Sequence, residues 1–183
     1  MHGYGKTGGT IELRSAFAHY YKNRFDVELD PDKEVLGLIG SKEGIFNLSQ
    51  VLINPDDLVL LPDPCYPVYR AGALISMAES YLMPLLAEND FLPDLDNIPN
   101  EVAQRAKLMW LNYPNNPTGA VAPLAFFEKV IDFAMKFGII VAHDAPYVDV
   151  CFDRYVAPSI LEVAGSKEVA IEFNSLSKTY NMA

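Results

Sequence analysis

Lys107-Leu-Met-Trp-Leu-Asn-Tyr-Pro-Asn-Asn-Pro-Thr-Gly119 joins a buried-strand pattern to a turn pattern. Leu108 to Leu111 form an apolar run too short for a helix, and at Asn112 it gives way to residues that favour turns. Behind it, Pro123 to Phe137 repeats apolar residues at helical spacing, and Ile139-Ile-Val-Ala142 is a second continuous apolar run. Strands without polar alternation are buried on both faces, as happens where helices cross over a parallel sheet. Strand, turn, helix and strand here form one such crossover.

Working outward, Val35-Leu-Gly-Leu-Ile39 and Leu58-Val-Leu-Leu61 read as further strands, with Ser80 to Leu85 a candidate and Val169-Ala-Ile-Glu-Phe173 the last. Thr10 to Arg24 places Leu13, Phe17, Tyr20 and Tyr21 on one helical face, and Lys42 to Ile53 and Tyr66 to Met77 also read as helices. The expected fold is α/β, a mostly parallel central sheet with helices on both faces, in one domain over residues 1–183. No internal repeat, low-complexity tract or linker divides the sequence.

Half of the residues are hydrophobic, 21% are charged, and the net charge is −10. That balance argues against a nucleic-acid groove or an anionic membrane surface as partner. It leaves room for a small anion, which backbone N–H groups at a helix start can hold. Cys65 and Cys151 are the only cysteines, which fits a reduced compartment better than a disulfide framework. With neither a leader pattern nor an apolar run long enough to span a bilayer, the expected location is the cytoplasm.

In parallel sheets, ligands gather beyond the carboxyl ends of the strands. Ser41 follows the first expected strand, Tyr66 the next, and Asn112 to Gly119 the Trp110 strand. Asp144 follows Ile139 to Ala142, and Ser175 to Lys178 follow the last. Every one of these candidates for chemistry therefore falls on one rim.

Each also has a plainer reading. Asn115 to Gly119 could be only a turn, Asp144 a helix cap, Tyr147 core and Lys178 a surface lysine. His19, His143 and both cysteines read as structural, and no spacing suggests zinc. Near the start, Gly3-x-Gly5-x-x-Gly8 matches a dinucleotide fingerprint, but only Met1 and His2 precede it, so it lacks its strand. Gly5-Lys6-Thr7 lacks the rest of a P-loop. Lys6-Thr7-Gly8 with Ser175-x-x-Lys178 stands in the wrong order for penicillin-binding enzymes.

Five blocks stand in one order: Ser41-Lys-Glu-Gly44, Asp63-Pro-Cys-Tyr-Pro67, Asn115 to Gly119, Asp144-Ala-Pro-Tyr147 and Ser175 to Lys178. With them the chain resembles, over its whole length from about Tyr4, the fold-type I pyridoxal-phosphate enzymes, in particular the class I/II aminotransferases. The local text is most similar to the diaminopimelate, alanine and aspartate types. The resemblance implies pyridoxal 5′-phosphate as cofactor. Lys178 would carry its aldehyde and later move a proton, and Asp144 would pair with the ring nitrogen. Tyr147 and Asn116 would bond the ring oxygen, and Tyr66 would stack on the ring. Ser41, Lys42, Ser175 and Ser177 would hold the phosphate. Tyr4 would reach the phosphate of a neighbouring subunit, which implies a homodimer in the full-length parent.

Members of that family are much longer. The resemblance therefore implies an incomplete large domain, with the small C-terminal domain absent from 1–183. The expected activity of the parent is amino transfer between an amino acid and a 2-oxo acid. Two alternatives stay open: a C–S β-lyase on the same scaffold, and a non-catalytic fragment or regulator effector domain.

Overall fold

A computed structural model describes residues 5–182. Strands β1 (Leu58–Asp63), β2 (Glu79–Pro84), β3 (Ala106–Asn112), β4 (Ile140–Asp144) and β5 (Ala170–Phe173) form one sheet in the order β2-β1-β3-β4-β5. Every pairing in it is parallel. The helices are α1 (Ile11–Phe25), α2 (Ser41–Leu52), α3 (Pro67–Ile75), α4 (Asn100–Arg105), α5 (Leu124–Phe137) and α6 (Leu176–Thr179).

Alternation along the strands divides the core into two layers. Leu58 and Leu60 of β1, with Met109 and Leu111 of β3, pack in one cluster with Phe127, Val130 and Ile131 of α5. Val59, Leu61, Leu108 and Trp110 join the opposite cluster, with Ile45 of α2 and Tyr69 and Ala73 of α3. Both faces are covered, so the strand text has no polar alternation to show.

Local signals fix the helix ends. The Thr10 side chain caps α1 by accepting from the Leu13 N–H, and Pro67 opens α3, where its missing N–H costs nothing. Gly138 ends α5 in the left-handed conformation, with φ 71°. Gly72 lets α3 approach α2: a Cβ there would stand 2.7 Å from Ser49 Oγ.

The segment Val35–Ile39 is not a strand. It is extended, and its Gly37 N–H donates to the Gly8 carbonyl at 3.0 Å, but it joins no ladder. Leu36 is 65% and Ile39 95% exposed. An apolar run becomes a buried strand only where a neighbour offers a paired edge, and this one lies across the start of α1 instead. The face expected for α1 is buried only toward its end: Tyr21 and Phe25 pack with Ala145, Val148 and Ala157, while Leu13 stays exposed.

Candidate active site

The order β2-β1-β3 means that the chain leaves β1 on one side and later returns on the other. A crevice opens at such a reversal, beyond the carboxyl ends of the strands. There the structure has an open cleft of about 320 Å³. Tyr66 reaches it from the end of β1, Asn116 from beyond β3, and Asp144 and Tyr147 from β4 and the turn after it. Ser175, Ser177 and Lys178 line it from the segment after β5, and Ser41 and Lys42 from the start of α2. The fold thus brings nine of the ten expected site residues to one cleft. Tyr4 lies outside the described residues.

Asp144 is buried in this cleft. Its Oδ2 accepts a hydrogen bond from the Tyr69 hydroxyl at 2.6 Å, whereas Oδ1 is buried with no partner among the described residues. Burial pushes its carboxyl up to about 6, against the opposing pull of the Tyr69 bond and of His143. Burial, and then the carboxylate itself, also drives the Tyr69 hydroxyl well above its ordinary range, so it stays a donor. The Tyr69 ring is stacked on Trp110 with centroids 4.7 Å apart and planes within 7°. That stacking fixes where the donor points. Buried polar atoms are nearly always paired, so Oδ1 marks a place for an incoming donor.

Asn112 ties the strand ends together. Its Nδ2 donates to the Asp144 carbonyl at 2.7 Å, and its Oδ1 accepts from the Asn116 N–H at 2.7 Å. One buried amide therefore sets the backbone of both residues. The turn reading of Asn115 to Gly119 also holds, through Asn115. Its Oδ1 accepts from the Thr118 N–H at 3.1 Å and from the Thr118 hydroxyl at 2.7 Å. Asn115 builds the turn and Asn116 is presented by it. Asn112→Ala should cost on the order of 1–3 kcal/mol, because it strands the groups it satisfied. Denaturant unfolding measures this, and an unchanged midpoint would show the amide to be dispensable.

At the other wall, α2 starts after Gly40 with no side-chain cap. Its first-turn N–H groups are thus not claimed by a capping side chain. Ser175 caps the short α6, accepting from the Ser177 N–H at 3.2 Å. The amines stand against aromatic rings: Lys178 Nζ is 6.0 Å from the Tyr147 centroid, and Lys42 Nζ is 5.9 Å from that of Tyr66. Among the described residues, no group of three or more His, Cys, Asp or Glu could hold a metal ion. Likewise no helix is long and apolar enough to cross a membrane.

Asn112 and Tyr69 were not singled out by the sequence reading, although each left a trace. Asn112 is the polar end of an otherwise apolar strand, and Tyr69 lies one helical turn after Tyr66.

Comparison with known proteins gives a consistent result. The family model described as aminotransferase class I and II matches residues 1–183. The LL-diaminopimelate aminotransferase of Moorella thermoacetica is 55% identical over 181 residues, 99% of this chain and 46% of that protein. That of Aquifex aeolicus is 53% identical, again over 99% of this chain and 47% of its own length. Among solved structures, substrate-bound BacF from Bacillus subtilis superposes with a TM-score of 0.95 at 44% identity, covering 100% of this chain and 46% of that one. A probable N-succinyldiaminopimelate aminotransferase from Thermus thermophilus gives 0.93 at 44% identity, with 100% and 49% covered. The chain spans about half the length of the curated relatives it matches.

Proposed function

The chain belongs to the aminotransferase class I and II family, and on that footing we propose that it is the cofactor-binding part of an enzyme that moves an amino group between LL-diaminopimelate and a 2-oxo acid. The observation that carries this reading is the buried Oδ1 of Asp144, without a partner among the described residues, in a cleft that also holds a lysine amine. A carboxylate oxygen so placed suits the protonated ring nitrogen of pyridoxal 5′-phosphate. The Lys178 amine suits its aldehyde, and the α2 start with the Ser175 and Ser177 hydroxyls suits its phosphate.

When bound, the cofactor supplies an electron sink that makes the substrate Cα–H acidic. The chain's residues do the rest. Asp144, steadied by Tyr69 and Asn112, would hold the proton on the ring nitrogen. Tyr147 and Asn116 would orient the ring through its oxygen, and Tyr66 would cover its face. Lys178 would carry the cofactor between turnovers, and its freed Nζ would take the proton from the substrate Cα and deliver it to the cofactor's C4′. A role for Tyr4 and a homodimeric assembly are what the family resemblance implies, and a cytoplasmic location is what the cysteine usage suggests.

The substrate follows the names of relatives at 50–55% identity, all LL-diaminopimelate aminotransferases. Those names favour transfer over C–S β-elimination and over a non-catalytic role. The full-length enzyme that contains this chain, supplied with pyridoxal phosphate, LL-diaminopimelate and a 2-oxo acid, should form a new amino acid only when the oxo acid is present. Pyruvate and ammonia released from cystathionine without an oxo acid would instead establish the lyase.

A further inference from the structure

Behind Asp144, β4 and β5 carry a second ionisable cluster that the chemistry above does not use. The sheet register sets His143 beside Glu172. Strand alternation turns His143 away from Tyr69 and toward α5, where its ring lies 4.8 Å from Phe127. The side chains of His143 and Glu172 are both fully buried. His143 Nδ1 stands 2.9 Å from Glu172 Oε2, and Nε2 stands 3.1 Å from the Tyr113 carbonyl oxygen. The Glu172 carboxylate also accepts from the Tyr21 hydroxyl at 2.8 Å, the Ser159 hydroxyl at 2.9 Å and the Ile160 N–H at 3.1 Å.

A carbonyl oxygen can only accept, so Nε2 carries a hydrogen. The other groups around Glu172 are donors. The Ile160 N–H has no other role, and burial keeps the Tyr21 hydroxyl protonated. A carboxylate surrounded by donors is ionised, so Nδ1 donates as well. Buried ion pairs seldom stabilise a fold better than apolar packing of the same volume would. Fold stability alone is therefore a poor account of this pair.

We infer that His143 is a positioning residue for Asp144: a buried imidazolium, neutralised by Glu172 and tied to the Tyr113 carbonyl, whose charge helps keep the neighbouring carboxylate ionised for the cofactor's ring nitrogen. The inference rests on the reading of Asp144 given above. The same ring also links the segments that carry the site. Glu172 lies on the strand leading to Lys178, and Tyr113 lies on the segment leading to Asn116. The titratable groups that touch the cluster are Glu172 from β5 and Tyr21 from α1, while Asp144 and Tyr69 from α3 lie across the sheet on its other face. Phe127 from α5 and Ser159 bring no charge.

Nitrogen-15 NMR of the full chain with labelled histidine reads the His143 ring before any cofactor is added. Two protonated ring nitrogens at neutral pH are expected, with the signals assigned by their loss in His143→Gln. In His143→Gln and in Glu172→Gln, the cofactor dissociation constant should rise about tenfold, the equivalent of one pH unit of differential interaction. The acid limb of cofactor retention should move up by about one pH unit, which a purely structural role would not cause. The double variant should be no worse than either single one, because Glu172 acts through His143. A bare ring nitrogen on His143 would overturn the inference, as would folded variants whose acid limb stays in place. If the variants fail to fold, the NMR of the unaltered chain decides. An unaltered chain that takes up no cofactor would sink the reading of Asp144, and this inference with it.

Discussion

Lys178→Ala should leave a folded chain that binds pyridoxal phosphate without holding it covalently and that no longer exchanges the substrate Cα hydrogen with solvent. The residue is exposed, on the four-residue helix α6, and the contact it makes is with the Tyr147 ring. Its removal therefore leaves the core untouched, and any change in melting temperature should be small. The chemical loss is large, because general acid–base catalysis alone contributes roughly 10²–10⁴-fold. Lys178→Arg keeps the charge but offers no amine that condenses with an aldehyde at neutral pH, so it should not rescue. Proton NMR of an amino-acid substrate in deuterated buffer reads the exchange directly. Exchange at the unaltered rate in Lys178→Ala would assign the proton transfer to another residue.

Asp144→Asn should change how stability depends on pH, and in opposite senses with and without cofactor. Burial lifts the Asp144 carboxyl from an ordinary 3.8 to about 6. Between those values the folded chain keeps a proton that the unfolded chain has released. Stability of the cofactor-free chain therefore falls as pH rises through this window, by on the order of 3 kcal/mol in total. Asn cannot ionise, so the variant should lack this loss and be the more stable form at neutral pH without cofactor. With pyridoxal phosphate bound, a ring N–H at Oδ1 favours the carboxylate. Protection by cofactor should thus grow with pH in the unaltered chain and stay flat in Asp144→Asn. Thermal melts from about pH 4 to 7, with and without cofactor, test both halves. Parallel curves for the two proteins would refute the role given to Oδ1.

Most of the sheet was legible because its strands are apolar throughout and are separated by helices of clear period. Lys107 to Leu111 and Ile139 to Ala142 pair as β3 and β4, as expected. Val35 to Ile39 carries the same text but meets no edge, and composition alone does not record whether a neighbour is there to pair with. The cleft was legible for a related reason. Once the sheet is parallel, residues just past the strand ends must share a rim, whatever their distance in sequence. What stayed hidden depends on register and packing. Tyr69 reaches Asp144 only because α3 lies on the face where Asp144 points. Glu172 meets His143 only because β5 pairs with β4 in that register. Asn112 gains its meaning from Asp144, 32 residues away.

The central claim is that this cleft holds pyridoxal phosphate through Lys178 and Asp144. Its most direct test is to add the cofactor to the purified chain, record the visible spectrum, reduce with borohydride and map the modified peptide. A visible absorbance band that is lost on reduction, with the phosphopyridoxyl group on Lys178, is the predicted result. No band, or a label scattered over surface lysines such as Lys33 and Lys136, would contradict it.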